Sequence, residues 1–125
     1  MDNLKKLIDF LITALGAAGI PKKITSDIHL AVDEACTNII LYSYPDEPPG
    51  NIEMTCAICE KTITITIRDW GFPFNPVKID DPDLSLDIGD RPIGGLGIYL
   101  MKKFSDRIEY LREKNSNLLT IIKKI

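Results

Sequence analysis

Several features are scarce in this sequence of 125 residues. There is no basic excess, since 15 lysines and arginines stand against 18 acidic residues, and a net charge of -3 gives no electrostatic footprint for nucleic acid. No stretch approaches the roughly 20 apolar residues of a membrane span. The three cysteines cannot all pair, so we expect no disulfide scaffold and a protein of the reducing cytoplasm. A chain of this length predicts a single domain over residues 1–125.

The single histidine and the cysteines are too few and too dispersed to favour a metal site. Cys56 and Cys59 lie three positions apart in a predicted strand, which sends their side chains to opposite faces. His29 and Cys36, on a predicted helix, would have to supply the remaining ligands. We therefore interpret the cysteines as ordinary buried residues.

The N-terminal segment has a basic pair followed by an apolar stretch, a pattern that loosely mimics a secretion signal. Asp9 interrupts that stretch, and the apolar residues fall on one helical face. We therefore predict an amphipathic helix over residues 2–15, ended by Gly16 and Gly19, with Pro21 preventing its continuation. The predicted buried face consists of Leu4, Leu7, Ile8, Leu11 and Leu15.

A second helix is predicted from a cap at Thr25 or Ser26 to about Tyr42. Its core-facing arc consists of Ile28, Val32, Ala35, Cys36 and Ile39. Glu34 and Asn38 lie one turn apart at the edge of this arc, where a carboxylate and an amide oxygen could reach one cation or one polarised hydroxyl. The alternative is that both are solvated edge residues.

Alternating apolar residues predict two β-hairpins. The first has strands near 52–58 and 63–67, and the second near 107–111 and 118–122. With three helices in the order α-α-β-β-α-β-β, the predicted fold is an α+β two-layer sandwich. A mixed, mainly antiparallel sheet of about four strands should be covered on one face by the helices.

The turn after the second strand contains Asp69, Gly71 and Phe72. A carboxylate at a strand end can accept a hydrogen bond from an exocyclic amine, while a glycine lets a flat ring approach. A plain turn has the same composition. The proline- and aspartate-rich segment between Phe72 and Gly94 is long for so small a domain, which favours a lid.

A glycine cluster formed by Gly94, Gly95 and Gly97 runs directly into a predicted third helix. Glycines let the backbone approach a phosphate, and the N-terminal amides of a helix point toward the same place. Leu96, Leu100 and Phe104 predict a buried stripe on this helix. Taken alone, the cluster is equally typical of a tight turn.

Three segments together resemble one family. AVDEACTNII, DWGFPFNP and GGLGIYLMKKFSD are similar to the N-box and the two glycine boxes of the superfamily of gyrase, heat-shock chaperone, histidine kinase and MutL ATPases. They are most similar to its branch of stand-alone serine kinases and anti-sigma factors. The resemblance covers about residues 24–110 and implies a Bergerat-type ATP-binding fold.

The resemblance also implies roles for individual residues. Glu34 matches the general base, and Asn38 matches the residue that holds Mg²⁺ at the nucleotide phosphates. Asp69 matches the carboxylate that reads the adenine amine, and Gly71 would give the ring room. The phosphate-contacting box is matched by Gly94, Gly95, Leu96 and Gly97.

Two departures from the family pattern stand out. No segment before the first helix matches the family's usual first strand, so we expect a sheet that lacks this edge strand. Many relatives carry a Gly-Thr pair on the last strand that helps to bind adenine. Asn117 and Leu118 stand in its place, with Thr120 as an alternative.

Arg91 either reaches the γ-phosphate or is an exposed arginine of the lid.

The resemblance implies a Mg-ATP-dependent protein serine kinase with anti-sigma activity. Its partners would be a sigma factor, which it sequesters, and a small antagonist protein, which it phosphorylates; relatives also pair, so a homodimer is allowed. Two alternatives stay open at this point. One is a non-catalytic, nucleotide-gated interaction module of a partner-switching system, and the other is a structural domain that binds no nucleotide.

Overall fold

The computed structural model describes residues 2–45, 50–78 and 95–125. Its α-helices are α1 (Asp2–Ala17), α2 (Lys22–Asn38) and α3 (Gly95–Lys103). Its strands are β1 (Ile52–Cys59), β2 (Thr62–Asp69), β3 (Arg107–Glu113) and β4 (Ser116–Lys124). A π-helical turn at Ile39–Ser43 continues α2, and a 3₁₀ turn occupies Pro76–Lys78.

The four strands form one sheet in the order β1-β2-β4-β3. Every pairing in it is antiparallel, so the sheet is not mixed as predicted, whereas the two predicted hairpins are confirmed and are joined through β2 and β4. Glu60 and Lys61 both have positive φ angles, as the tight turn between β1 and β2 requires. The predicted α+β architecture of three helices and four strands is confirmed.

The core lies between the helices and one face of the sheet. Ile63, Ile65 and Ile67 of β2 are completely buried, and the threonines between them lie on the opposite face. The predicted arc of α2 is buried against this layer, from Ile28 to Ile39. Burial of these aliphatic side chains is the main stabilising contribution, at about 25 cal/mol per Å² of apolar surface.

The first helix ends at its glycines as predicted, but two residues later than residue 15. Gly19 has a φ of 80°, and the N–H groups of Gly19 and Ile20 donate to the carbonyl oxygens of Gly16 and Leu15. This pair of bonds is a Schellman cap, so Gly16 lies inside α1 and Gly19 ends it. The predicted boundary at residue 15 was therefore too early.

The predicted cap of α2 at Thr25 or Ser26 was wrong. The helix begins at Lys22, directly after Pro21, and the Thr25 N–H donates to the Pro21 carbonyl oxygen. Proline presets a backbone angle compatible with helix entry, so the helix starts there without a side-chain cap. At its other end the predicted helix is confirmed as far as Asn38, after which the backbone widens into the π-helical turn.

The buried face of α3 differs from the predicted stripe. Ile98 and Met101 are buried, whereas Leu100 and Phe104 are only half-buried. The helix is therefore rotated so that the face carrying Gly97 and Met101 packs toward α2. Of the helices in residues 2–45, 50–78 and 95–125, none combines the length and the apolar character needed to cross a membrane.

The far end of β1 extends beyond the helical layer. Ile58 is 46% exposed, so this part of the predicted apolar face of β1 is not covered, and Phe10 of α1 is 73% exposed. Cys56 and Cys59 on the same strand are exposed and free, while Cys36 is buried and free. The expectation that all three cysteines are buried was wrong for the two on β1.

Candidate active site

The polar edge of α2 carries the two residues that the sequence singled out. Glu34 is half-buried, and Asn38, one turn later, is only 4% exposed. Among the described residues, the Asn38 amide nitrogen has no hydrogen-bond partner. Leaving a buried donor unpaired costs roughly 1–3 kcal/mol, so this amide is suited to a ligand that supplies an acceptor.

The first turn of α3 lies directly against Glu34. A Cβ atom built on Gly97 would be only 2.5 Å from the Glu34 Oε2 atom, a distance that real Cβ contacts do not show. A side chain at this position would therefore displace the flexible end of Glu34. The glycine box and the candidate base, distant in sequence, are neighbours in space.

The environment of Glu34 alters its acidity. Burial raises the pKa of its carboxyl group, and the negative charge of neighbouring Asp33 raises that pKa further. A carboxylate with a raised pKa is a stronger proton acceptor once it is ionised, which suits a general base.

Asp69 ends β2 and is buried to 2% exposure. Its Oδ1 atom accepts two hydrogen bonds of 2.9 Å, one from the Gly71 backbone N–H and one from the Asn117 side-chain amide. Both bonds reach the same oxygen. The carboxylate is therefore held in one orientation at the wall of the site.

Asn117 takes the position opposite Asp69 in the β2–β4 register. Its amide also donates to the Phe72 carbonyl oxygen at 2.8 Å. Thr120 pairs across the sheet with Thr66, on the face away from the helices, so it does not meet Asp69. Asn117 and not Thr120 therefore stands opposite the carboxylate. The sequence could not decide between the two residues because it does not show how the strands pair.

Gly71 is required because the turn packs closely on Ser43, which is a different reason from the room for an adenine ring that the resemblance implies. A Cβ atom at this position would lie 2.2 Å from the backbone oxygen of Ser43 and 2.8 Å from its Cβ atom. The Phe72 N–H also donates to that Ser43 oxygen at 2.8 Å. The turn after β2 is thus packed directly on the π-helical turn, backbone against backbone.

A narrow hollow connects the two halves of the site. It is lined by Asn38, Asp69 and Asn117 together with the apolar side chains of Ile39, Phe74, Met101 and Leu119. Its volume is about 20 Å³, room for about one water molecule and far below the roughly 300–1,000 Å³ of typical ligand pockets. The Phe74 ring also stacks on Tyr42, with centroids 4.6 Å apart. A base-sized ligand therefore needs side chains that line the hollow to move.

The described residues bring most of the predicted site together. Asn38 and Asp69 share the hollow, and Glu34 contacts the glycine box at Gly97. The backbone of Gly95 and Leu96 begins α3 beside them. Gly94, Arg91 and most of the predicted lid lie outside the described residues.

A side chain at Gly97 of the glycine box should impair activity without unfolding the protein. In Gly97→Ala the new methyl group meets only the mobile end of Glu34, so the unfolding temperature should stay within a few degrees of the parent value. The displaced carboxylate and the methyl group in the glycine box should lower the rate of the phosphoryl transfer that the family resemblance implies by about tenfold or more. Thermal unfolding and initial rates measured on the same sample check this. A fall in the unfolding temperature of more than about 10 °C would contradict this prediction.

Residues 1–123 match the family described as the histidine kinase-like ATPase domain. The chain belongs to this family. The sequence-based resemblance is confirmed by this match and by curated relatives.

Two differently named relatives illustrate the similarity. The chain is 34% identical over 101 residues to the anti-sigma F factor of Clostridium novyi, covering 80% of this chain and 71% of that protein. It is 31% identical over 97 residues to the serine-protein kinase RsbW of Bacillus thuringiensis, covering 74% of this chain. The matched region spans only 60% of the length of that kinase.

A solved structure has the same fold. The Acinetobacter baumannii histidine kinase AdeS superimposes with a TM-score of 0.55 over 80% of this chain and 46% of that chain. At 17% identity, the similarity concerns the ATPase-domain fold alone.

Proposed function

We propose that this chain is a Mg-ATP-dependent protein serine kinase that acts as an anti-sigma factor. In this proposal it phosphorylates a serine of a small antagonist protein and sequesters a sigma factor. The observation that carries the proposal is the contact of Gly97 with Glu34, one turn from the unpaired amide of Asn38. The names of the relatives, an anti-sigma F factor and a serine-protein kinase, support the choice of partners.

The residues divide the chemistry of phosphoryl transfer between them. Such transfer depends on positioning and charge neutralisation more than on covalent chemistry. Glu34 would accept the proton of the attacking serine hydroxyl, and its raised pKa suits that role. The backbone at Gly95 and Gly97 would approach the phosphates, with the N-terminal amides of α3 directed toward them.

Asn38 is the residue proposed to hold Mg²⁺. An amide oxygen is a ligand that this hard cation accepts, and Mg²⁺ usually binds through few protein groups plus the substrate phosphates. When bound, the ion would neutralise negative charge on the nucleotide phosphates. The unpaired nitrogen of the same buried amide is a donor, so among the described residues it fits an oxygen of the nucleotide phosphates beside the ion.

Asp69 is proposed to read the adenine amine. Its Oδ1 atom is already used by Gly71 and Asn117, which leaves acceptor capacity on the other carboxylate oxygen. An exocyclic amine supplies the matching donor. The base would approach from the hollow that Asp69 shares with Asn38.

Calorimetry with Mg-ATP tests nucleotide binding directly. In Asp69→Asn the amide can keep its oxygen toward Gly71 and Asn117, but it then turns a donor toward the adenine amine. Affinity for ATP should fall by about tenfold to a hundredfold with little change in unfolding temperature. Asp9→Asn removes one exposed charge from α1 and should leave the affinity unchanged. Equal affinity in the parent and Asp69→Asn would reject the assigned role.

A transfer experiment tests catalysis separately. The protein is incubated with radiolabelled ATP and a small antagonist protein encoded beside its gene, and label is expected on one serine of the antagonist. Binding of ATP without transfer would reject the kinase and favour the nucleotide-gated interaction module. An absence of ATP binding would reject both.

A further inference from the structure

A groove lies on the outer side of the turn that follows β2. We call it the aromatic groove, and its main lining side chains are those of Tyr44, Trp70, Phe72 and Arg112. Its volume is about 420 Å³, within the roughly 300–1,000 Å³ of typical binding sites. Ser43 borders both this groove and the hollow beside Asp69, so the aromatic groove adjoins the candidate active site.

Two large apolar side chains of the aromatic groove are open to solvent on a fixed backbone. Trp70 is 42% exposed and Phe72 is 65% exposed. The Trp70 N–H donates to the Tyr44 hydroxyl at 2.9 Å, and the Phe72 N–H donates to the Ser43 carbonyl oxygen. Exposed aromatic rings lose little conformational freedom when a partner covers them, and tryptophan and tyrosine contribute strongly to protein–protein binding. This composition is typical of a docking surface.

Arg112 supplies the positive charge of the aromatic groove. Its Nη1 atom donates to the Gly71 carbonyl oxygen at 2.9 Å and to the Asn117 Oδ1 atom at 3.2 Å, so the guanidinium is held in place. Among the described residues, its Nε and Nη2 atoms have no acceptor, and no acidic side chain lines the groove. The N–H groups of Nε and Nη2 form the edge of a guanidinium that binds the two oxygens of a carboxylate.

We propose that the aromatic groove docks an acidic segment of the antagonist protein. A carboxylate of this segment binds Arg112, and the apolar side chains next to it cover Trp70 and Phe72. This inference rests on the proposed function, in which the antagonist is the substrate. The position of the groove favours the substrate as its occupant, because a protein bound there is held beside the hollow that contains Asp69. Such binding raises the effective concentration of the substrate serine at the active site.

Steady-state kinetics of phosphate transfer test the docking role. Trp70→Ala and Phe72→Ala each remove an exposed side chain and leave the backbone bonds of the turn in place. Each should raise KM for the antagonist by about tenfold or more, with kcat within about twofold, because the docking contact is the same in the ground state and the transition state. ATP affinity measured by calorimetry should be unchanged. Phe10→Ala, at an exposed phenylalanine of α1, is the matched control and should leave KM unchanged.

Asn115 allows the charge of the partner to be tested. This residue is exposed in the turn between β3 and β4 and lines the aromatic groove together with Arg112. Asn115→Lys adds a positive charge and should lower KM for the antagonist by about threefold, whereas Asn115→Asp should raise it by a similar factor. Raised ionic strength should reduce the difference between the two variants. Both substitutions are at an exposed turn position, so they keep the test decisive if an aromatic variant unfolds.

Each outcome decides between distinct explanations. An unchanged KM for the antagonist in Trp70→Ala and Phe72→Ala would overturn the inference, and so would Asn115 variants whose effects do not follow the sign of the charge. Weaker binding of the sigma factor, with KM for the antagonist unchanged, would overturn it by assigning the groove to the sigma factor. A parent protein that transfers no phosphate to the antagonist would instead reject the proposed function and this inference with it.

Discussion

Glu34→Gln is expected to lower the rate of phosphate transfer to the antagonist by about a hundredfold to ten-thousandfold. Glutamine has the same shape but cannot take a proton from the serine hydroxyl. Because glutamine keeps the size of the side chain beside Gly97, the substitution should leave ATP affinity within about threefold of the parent value. Initial transfer rates and calorimetry on the same preparation measure the two effects. A variant that retains more than about a tenth of the parent rate would contradict the role as base.

The pH profile of transfer provides an independent check on the same residue. Burial and the charge of Asp33 raise the pKa of Glu34, so the base stays protonated, and inactive, to a higher pH than an exposed glutamate would. The rate should therefore rise as pH increases through that raised value. Asp33→Asn removes one cause, so its acid limb should move to lower pH with the plateau rate unchanged. An unchanged limb would show that Asp33 does not influence the base.

Gly71→Ala is expected to destabilise the fold by about 3 kcal/mol, lowering the unfolding temperature by roughly 10 °C. The added methyl group would sit 2.2 Å from the Ser43 carbonyl oxygen, and neither backbone can yield without losing the hydrogen bond from Phe72 to Ser43. The displaced turn would also remove the N–H group that Asp69 accepts from Gly71. Thermal and denaturant unfolding measure this effect.

A matched control for Gly71→Ala is available in the same chain. Gly16 lies inside α1, and a Cβ atom there would meet nothing within 4 Å. Gly16→Ala should therefore stabilise the protein by about 0.5–1 kcal/mol through higher helix propensity. Equal stability of the variants at positions 16 and 71 would contradict the close packing at Ser43.

Periodicity in the sequence was sufficient to predict the architecture. The alternation of isoleucines and threonines in β2 defines its buried face, and the apolar arc of α2 identifies the surface that covers it. Helix boundaries were less predictable. Pro21 starts α2 where a serine or threonine cap was expected, because a proline at a helix entry presets the backbone and does not need a side-chain acceptor.

The candidate site could be predicted only in part. The spacing of Glu34 and Asn38 within one helix is a local property, so their adjacency was visible in the sequence. The contact between Glu34 and Gly97 depends on the rotation of α3, which the predicted Leu96–Leu100–Phe104 stripe placed wrongly. The role of Asn117 depends on strand register, because the residue lies opposite Asp69 only once β2 and β4 are paired.

The backbone contact between Ser43 and Gly71 has a consequence for how the domain can respond to a nucleotide. It joins the π-helical turn that continues α2 to the turn beside Asp69, so we expect these two walls of the cleft to move together. Adjustment on ligand arrival is then left to the opposite wall, where α3 is anchored by Ile98 and Met101. A partner protein that senses the nucleotide should accordingly detect displacement of α3, while the orientation of α2 on the sheet stays constant.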